Sequence, residues 1–276
     1  MIKLITSPLQ PSLCNASERH AKPLRVGLFQ MRWNSDPKAH VARLHEGVAT
    51  CAHAGAELVF LPELTLNRYP ADKRPQADKD RQPERLEDGP TVTFAQEAAR
   101  ANDVFVQVSL YEQADRDDGL GYNTAVLVGP TGKIVARTRK LHIPVTEGYF
   151  EDCYFAQGPN ETPYPVHSVV TDNADVQLGL PTCWDEWFPE VARSYGLGGA
   201  DLLCYPTAIG SEPDHPDFNT RSLWQSVIVG HAIANGLFIA VPNRTGVEGL
   251  IRFYGGSFIT DPFGRILVEA PEDEEV

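Results

Sequence analysis

The chain has 276 residues, 42% of them hydrophobic and 22% charged, which suits one large packed domain or two small ones and excludes a disordered chain. Its 37 acidic and 24 basic side chains give a net charge of −13 without a basic run, so nucleic acid and an anionic membrane surface are not expected partners. Five scattered cysteines (Cys14, Cys51, Cys153, Cys183 and Cys204) form no C-x-x-C pair, which argues against zinc or a disulfide framework and for a reducing cytoplasm.

Residues 1 to 23 are rich in proline, serine and asparagine without a clear period, and read as an extended or mobile lead-in. They lack the continuous apolar core of a signal peptide, and no later stretch reaches transmembrane length. Leu24 to Gln30 reads as a short strand. Val41, Leu44, Val48 and Ala52 recur at helical spacing, so Ala39 to Ala54 is expected as an amphipathic helix closed near Gly55. Glu57 to Leu61 is a buried strand that ends at Pro62-Glu63. Strand, helix, strand in this order indicates an α/β layer architecture.

The polar stretch Ala71 to Pro90 reads as a long loop of the kind that shapes active sites. A second helix follows over Thr91 to Asn102. Strands are expected at Val104 to Leu110, Tyr122 to Val128 and Lys133 to Thr138, the last two joined by the turn Gly129-Pro130-Thr131-Gly132. Val145 to Asn160 is aromatic and reads as irregular. An apolar run from Val176 delivers Cys183 and turns into CWDEWFPE, with a helix to follow near Pro189-Glu190. Ala200 to Tyr205 reads as a strand, Ile209 to Asn219 as a loop, Ser222 to Asn235 as a helix and Leu237 to Val241 as a strand. Ser257 to Thr260 and Arg265 to Glu269 close a last strand-turn-strand, and residues 271 to 276 form an acidic tail expected to be mobile. No internal repeat of fixed period and no second domain is read, so residues 24 to 270 form one domain.

Three apolar strands end in reactive side chains: Glu63 after ELVFLP, Lys140 after KIVARTR and Cys183 after VQLGLPT. Strand ends in α/β layers converge on one edge of the sheet, where ligand sites form. A cysteine at a tight strand-to-helix bend can attack a carbonyl or nitrile carbon, and helix N–H groups beyond it would favour its thiolate. A nearby glutamate can move protons between the thiol, the leaving amine and an attacking water, and a lysine ammonium can hold the oxyanion. This chemistry needs neither a metal nor an organic cofactor. Taken singly, each residue has an ordinary alternative: a solvated carboxylate, a surface cation, a small buried thiol.

Glu63 in PEL, Lys140 in RKLHIP and Cys183 in TCWDEWFPE resemble the Glu-Lys-Cys set of the nitrilase, or carbon-nitrogen hydrolase, superfamily. YPTAIGSEP and WQSVIVGHAIANGLFIAVPNRTG are similar to its N-carbamoylputrescine amidase branch, with β-ureidopropionase nearby. The resemblance implies a four-layer α-β-β-α sandwich, a homodimer or larger homo-oligomer, and a fourth catalytic residue, here Glu151, supporting Lys140. Two departures stand out: Asp152-Cys153 follow Glu151 where the family carries a lysine, and the chain continues only briefly past Glu269, where family members carry a tail across the partner.

The backbone N–H of Trp184 is the expected oxyanion donor beside Lys140. Glu212 is the candidate for recognising a distal substrate ammonium, and Asp185 and Glu186 are further candidates that compete with capping or solvated roles. His142, His215 and His231 read as structural or exposed. The expected activity is hydrolysis of an N-carbamoyl amine to amine, carbon dioxide and ammonia. Aliphatic amidase, omega-amidase, β-ureidopropionase, nitrilase and non-catalytic binding relative are the alternatives.

Overall fold

A computed structural model describes residues 2–13 and 23–276. Part of the expected mobile lead-in, residues 14–22 with Cys14, lies outside the described residues. Residues 2–13 adopt neither helix nor strand, yet Ile2 is buried in the core and Lys3 pairs with Glu274 at 2.7 Å.

The first half of the domain runs β1 (Val26–Leu28), α1 (Pro37–His53), β2 (Leu58–Phe60), α2 (Pro90–Asn102), β3 (Phe105–Glu112), β4 (Tyr122–Val128) and β5 (Ile134–Arg139). Helix α1 starts where Asp36 accepts from the N–H groups of Lys38 and Ala39, with Pro37 at its first position. Strands β1, β2 and β3 are parallel, and β4 and β5 continue the sheet antiparallel. A small hairpin follows, β6 (Val145–Thr146) and β7 (Tyr149–Phe150), in a region the sequence presents as irregular.

The second half runs β8 (Val166–Val170), β9 (Asp175–Gly179), α3 (Pro189–Leu197), β10 (Leu202–Cys204), α4 (Arg221–Asn235) and β11 (Phe238–Val241). A hairpin of β12 (Thr245–Glu248) and β13 (Ile251–Tyr254) comes next, then β14 (Phe258–Thr260) and β15 (Ile266–Glu269). In this sheet β9, β10 and β11 are parallel, and β14 and β15 are antiparallel additions. The plan of the first sheet is thus repeated, three parallel strands and then two antiparallel. Sequence periodicity does not reveal the duplication, because the halves differ in loop lengths and the second carries β8 and the inserted β12–β13 hairpin.

The two sheets pack face to face and each carries its helices outside, giving the four-layer α-β-β-α sandwich. Alternation along the strands makes this possible. Leu58 and Phe60 of β2 meet Leu178, Leu202 and Cys204 between the sheets, whereas Val59 and Leu61 join the cluster under α1 and α2. Leu203 and Tyr205 likewise face α3 and α4. Strands covered on both faces must be apolar throughout, which explains the unbroken run ELVFL.

The acidic tail is not the free segment expected. Val276 exchanges both backbone hydrogen bonds with Gln30, at 2.8 and 3.1 Å. Glu275 pairs with Arg43 at 2.8 Å and Glu272 with Arg221 at 3.3 Å. Its carboxylates find cations on α1 and α4, and this holds the segment to the body.

Candidate active site

The parallel strands of both sheets end on one edge of the sandwich, and the three sequence candidates meet there. Glu63 follows β2, Lys140 follows β5 and Cys183 follows β9, and each is essentially inaccessible to solvent. The turn beyond Glu63 is held by Thr65, whose hydroxyl donates to Pro62 O at 2.9 Å and whose N–H donates to Ser109 O at 2.8 Å. Leu64 takes a left-handed conformation, φ 49°, to make that turn. Lys140 is anchored by its own N–H, which donates to Asn123 O at 2.8 Å.

Lys140 Nζ donates to Glu63 Oε1 at 2.9 Å and to Glu151 Oε2 at 2.7 Å. An ammonium has three N–H groups, so one remains. Glu63 Oε1 takes a second donor, Asn123 Nδ2, at 2.6 Å, while Glu63 Oε2 is buried with no hydrogen-bond partner. Glu151 Oε1 accepts from the Tyr69 hydroxyl at 2.8 Å. Glu151 reaches the centre because the β6–β7 hairpin turns back at Gly148, φ 80°, and delivers it into a single 3-10 turn, Glu151–Cys153. Burial first, opposed by Lys140 and assisted by Glu63, raises the Glu151 carboxyl to about 7. Burial works against the Lys140 charge, but the two carboxylates and the thiol around it hold its pKa well above the usual lysine value.

Cys183 sits at a sharp elbow. Its φ is 45°, a left-handed conformation that costs a non-glycine residue about 1 kcal/mol or more and persists only where the surroundings enforce it. The strained residue opens a 3-10 turn, Cys183–Trp187, and its N–H donates to Pro206 O at 3.1 Å. The Trp184 N–H lies in the first turn of that segment, where N–H groups have no acceptor within the helix. The expectation of a thiolate stabilised by a helix start is corrected here. The regular helix α3 begins only at Pro189, and burial first, then Glu63, pushes the Cys183 thiol well above its ordinary value despite Lys140. The resting sulfur is therefore a thiol, and any use of it as a nucleophile would call for a base.

Asp185 and Glu186 are not presented as open acceptors for a substrate cation. Asp185 closes a capping box with Thr182 and accepts from the His142 N–H at 2.9 Å and from its ring Nδ1 at 2.8 Å. Glu186 accepts from Trp224 Nε1 at 2.7 Å and from the Thr207 hydroxyl at 3.2 Å. Burial raises its carboxyl well above the usual range, against the two donors, and so favours the neutral form. Both residues follow Cys183 so closely that their side chains fix its loop. His142 stacks on Phe188 with ring centroids 3.7 Å apart, His231 Nε2 contacts Glu186 O at 3.0 Å, and His215 is exposed.

Glu212 is half-buried in the loop after β10, 3.4 Å from the Thr220 hydroxyl, and burial raises its carboxyl. Both Glu212 and Cys183 act electrostatically on Tyr149, which is buried and accepts from the Gly210 N–H at 3.0 Å. Tyr149 also donates to Ser211 O at 3.2 Å, so its hydroxyl contacts the backbone next to Glu212. A cavity of about 540 Å³ is lined in part by Leu141, Asp152 and Trp184, the residues that follow Lys140, Glu151 and Cys183.

Sequence reasoning missed Asn123 and Tyr69. A lone Asn near the start of the apolar strand YNTAVLV was a signal for the first, since a buried amide needs partners. Nothing local marks Tyr69, because its partner is 82 residues away.

A sequence model of the carbon-nitrogen hydrolase family matches residues 25–276. A citrullinase from Francisella tularensis is 34% identical over 90% of this chain and 84% of its own length. N-carbamoylputrescine amidase from Arabidopsis thaliana is 32% identical over 94% of this chain and 86% of its own. Among solved structures, a carbon-nitrogen hydrolase from Helicobacter pylori superposes with a TM-score of 0.76 at 31% identity, covering 91% of this chain and 87% of that one. A Nesterenkonia amidase carrying an acrylamide adduct on its active-site cysteine has a TM-score of 0.69 at 25% identity, covering 91% and 90%.

Proposed function

The chain belongs to the carbon-nitrogen hydrolase family, and from that premise we propose that it hydrolyses an N-carbamoyl amine with a cationic far end, through Cys183, Glu63, Lys140 and Glu151. The observation that carries the mechanism is the division of labour on Glu63. Oε1 is held by Asn123 and Lys140, and Oε2 is buried without a partner and left to accept a proton.

In this reading Glu63 Oε2 takes the thiol proton as Cys183 Sγ bonds to the carbamoyl carbon. The C=O electrons move to oxygen, and the spare Lys140 N–H and the Trp184 N–H stabilise that oxyanion. The oxyanion collapses, the C–N bond breaks, and Glu63 passes its proton to the leaving nitrogen. A water then gives a proton to Glu63 and attacks the thioester, sulfur leaves and regains the proton, and the released carbamic acid falls apart. The sum is carbamoyl amine plus water to amine, carbon dioxide and ammonia. Glu151 keeps Lys140 charged and directed.

Glu212 would receive the distal ammonium, since it is a half-buried carboxylate in the loop that the Tyr149 hydroxyl contacts, and Tyr149 also feels the Cys183 sulfur. The likeness to a citrullinase favours a second reading, a ureido amino acid, which brings a carboxylate that the acidic loop with Glu212 and Asp214 would repel. Ammonia release from carbamoylputrescine, citrulline, carbamoyl-β-alanine, a simple amide and a nitrile separates these readings. Preference for carbamoylputrescine, lost in Cys183→Ala, supports the proposal, and preference for an anionic substrate removes it. A homodimer or larger homo-oligomer in the cytoplasm completes the proposal, to be read from the mass in solution and from fractionated cells. Among the described residues no helix is long and apolar enough to cross a membrane.

A further inference from the structure

The β12–β13 hairpin carries a buried ion pair that the chemistry above does not use. Arg244 Nη1 lies 3.1 Å from each carboxylate oxygen of Glu248, with side-chain exposures of 0% and 2%. Desolvating two such charges costs several kcal/mol each, and well-packed apolar residues often serve stability as well. What distinguishes this pair is what else it holds. Arg244 Nη2 donates to Leu64 O at 3.2 Å and to Asn67 O at 2.5 Å, and Glu248 Oε2 accepts from the Tyr69 N–H at 2.8 Å.

These contacts grip residues 64–69 at both ends. The near end is Leu64, adjacent to Glu63 and left-handed at φ 49°. The far end is Tyr69, whose hydroxyl donates to Glu151. The hairpin lies against the same segment at its turn. Gly249 has φ 60°, and a Cβ there would come within 1.8 Å of Asp72 Oδ2, which Arg68 holds.

We infer that the Arg244–Glu248 pair is a positioning device for the hydrolytic centre: by fixing residues 64–69 it sets where Glu63 presents Oε2 and, through Tyr69, where Glu151 holds Lys140. The inference rests on the catalytic reading of those residues. It gives the buried pair a role in rate rather than in stability.

The test compares wild type with Arg244→Met/Glu248→Leu, which removes the clamp without stranding a charge, and with Tyr69→Phe, which removes only the hydroxyl on Glu151. Thermal unfolding establishes that each is folded. In the double variant kcat should fall about 100-fold, the effect of a misplacement near 1 Å, while KM changes less than about threefold. In Tyr69→Phe kcat should fall about tenfold, and the acidic limb of its pH profile should move upward, because Glu151, facing Lys140 and Glu63, loses a donor. A folded double variant with wild-type kcat, or Tyr69→Phe with an unmoved limb and rate, overturns the inference. Should the double variant not fold, Tyr69→Phe decides alone. Should wild type turn over none of the substrates, the catalytic reading fails instead. The clamp is then judged by iodoacetamide labelling of Cys183, which should slow about tenfold at pH 7 when Glu63 is displaced and whose constancy overturns it.

Discussion

Asn123 and Lys140 converge on one oxygen of Glu63, at 2.6 and 2.9 Å, and leave the other without a partner in a buried site. Strand β4 fixes this arrangement twice. The Asn123 backbone carbonyl anchors the Lys140 N–H, and Ser109 donates to Asn123 Oδ1 at 3.2 Å, so the amide turns its Nδ2 toward Glu63.

Asn123→Leu is therefore expected to lower kcat by about 100-fold while leaving KM nearly unchanged, because Glu63 loses the donor that orients it and substrate contacts are untouched. Asn123→Asp should be worse, since it sets a second carboxylate against Glu63. Steady-state kinetics on folded variants checks both.

Activity should rise with pH through about 7 as Glu151 ionises and pairs with Lys140. Stability should move the other way. The folded-state pKa of Glu151 is raised, so between its ordinary value and about 7 the folded protein keeps a proton that the unfolded chain has released. Stability contributed by this group is then lost as pH rises through that window. Urea unfolding of wild type and Glu151→Gln from pH 4.5 to 8 tests the sign: the glutamine variant should show the smaller decline.

Glu186→Gln should retain activity within a few-fold and unfold near the wild-type temperature. Burial already favours the neutral carboxyl, and an amide oxygen can still accept from Trp224. Glu186→Leu strands the Trp224 donor, at a cost of about 1–3 kcal/mol, whereas the Thr207 hydroxyl keeps Tyr205 O at 2.7 Å. Equal melting temperatures for the two variants would contradict this account.

Glu212→Gln should reduce kcat/KM for carbamoylputrescine by about 10- to 100-fold, the range for losing one charge-assisted hydrogen bond, with little effect on a neutral amide of similar length. A uniform loss on both substrates would assign Glu212 to loop structure rather than to recognition.

Chain order and strand identity were largely legible in the sequence, because buried strands must be apolar runs and the helices carry one apolar face. Tyr122–Val128 is found with its expected limits, and α1 begins at Pro37, two residues ahead of the expected Ala39. The strand Val166–Val170 was not, since a half-exposed edge strand such as VHSVV carries a weak apolar signal. Both short hairpins escaped as well. The tail's composition suggests mobility because charge content alone cannot report that Lys3, Arg43 and Arg221 lie within reach.

What the sequence determined by itself was the chemical kit: a cysteine, a glutamate and a lysine, each placed where an apolar strand runs out. Residue type and local period suffice for that, since both are properties of neighbours along the chain. Only the tertiary structure decided the protonation state of Cys183, which oxygen of Glu63 stays open, and the turning of Asp185 and Glu186 onto protein donors. Those outcomes depend on desolvation and on donors as far as 77 residues away, and neither quantity exists until the sheets have packed.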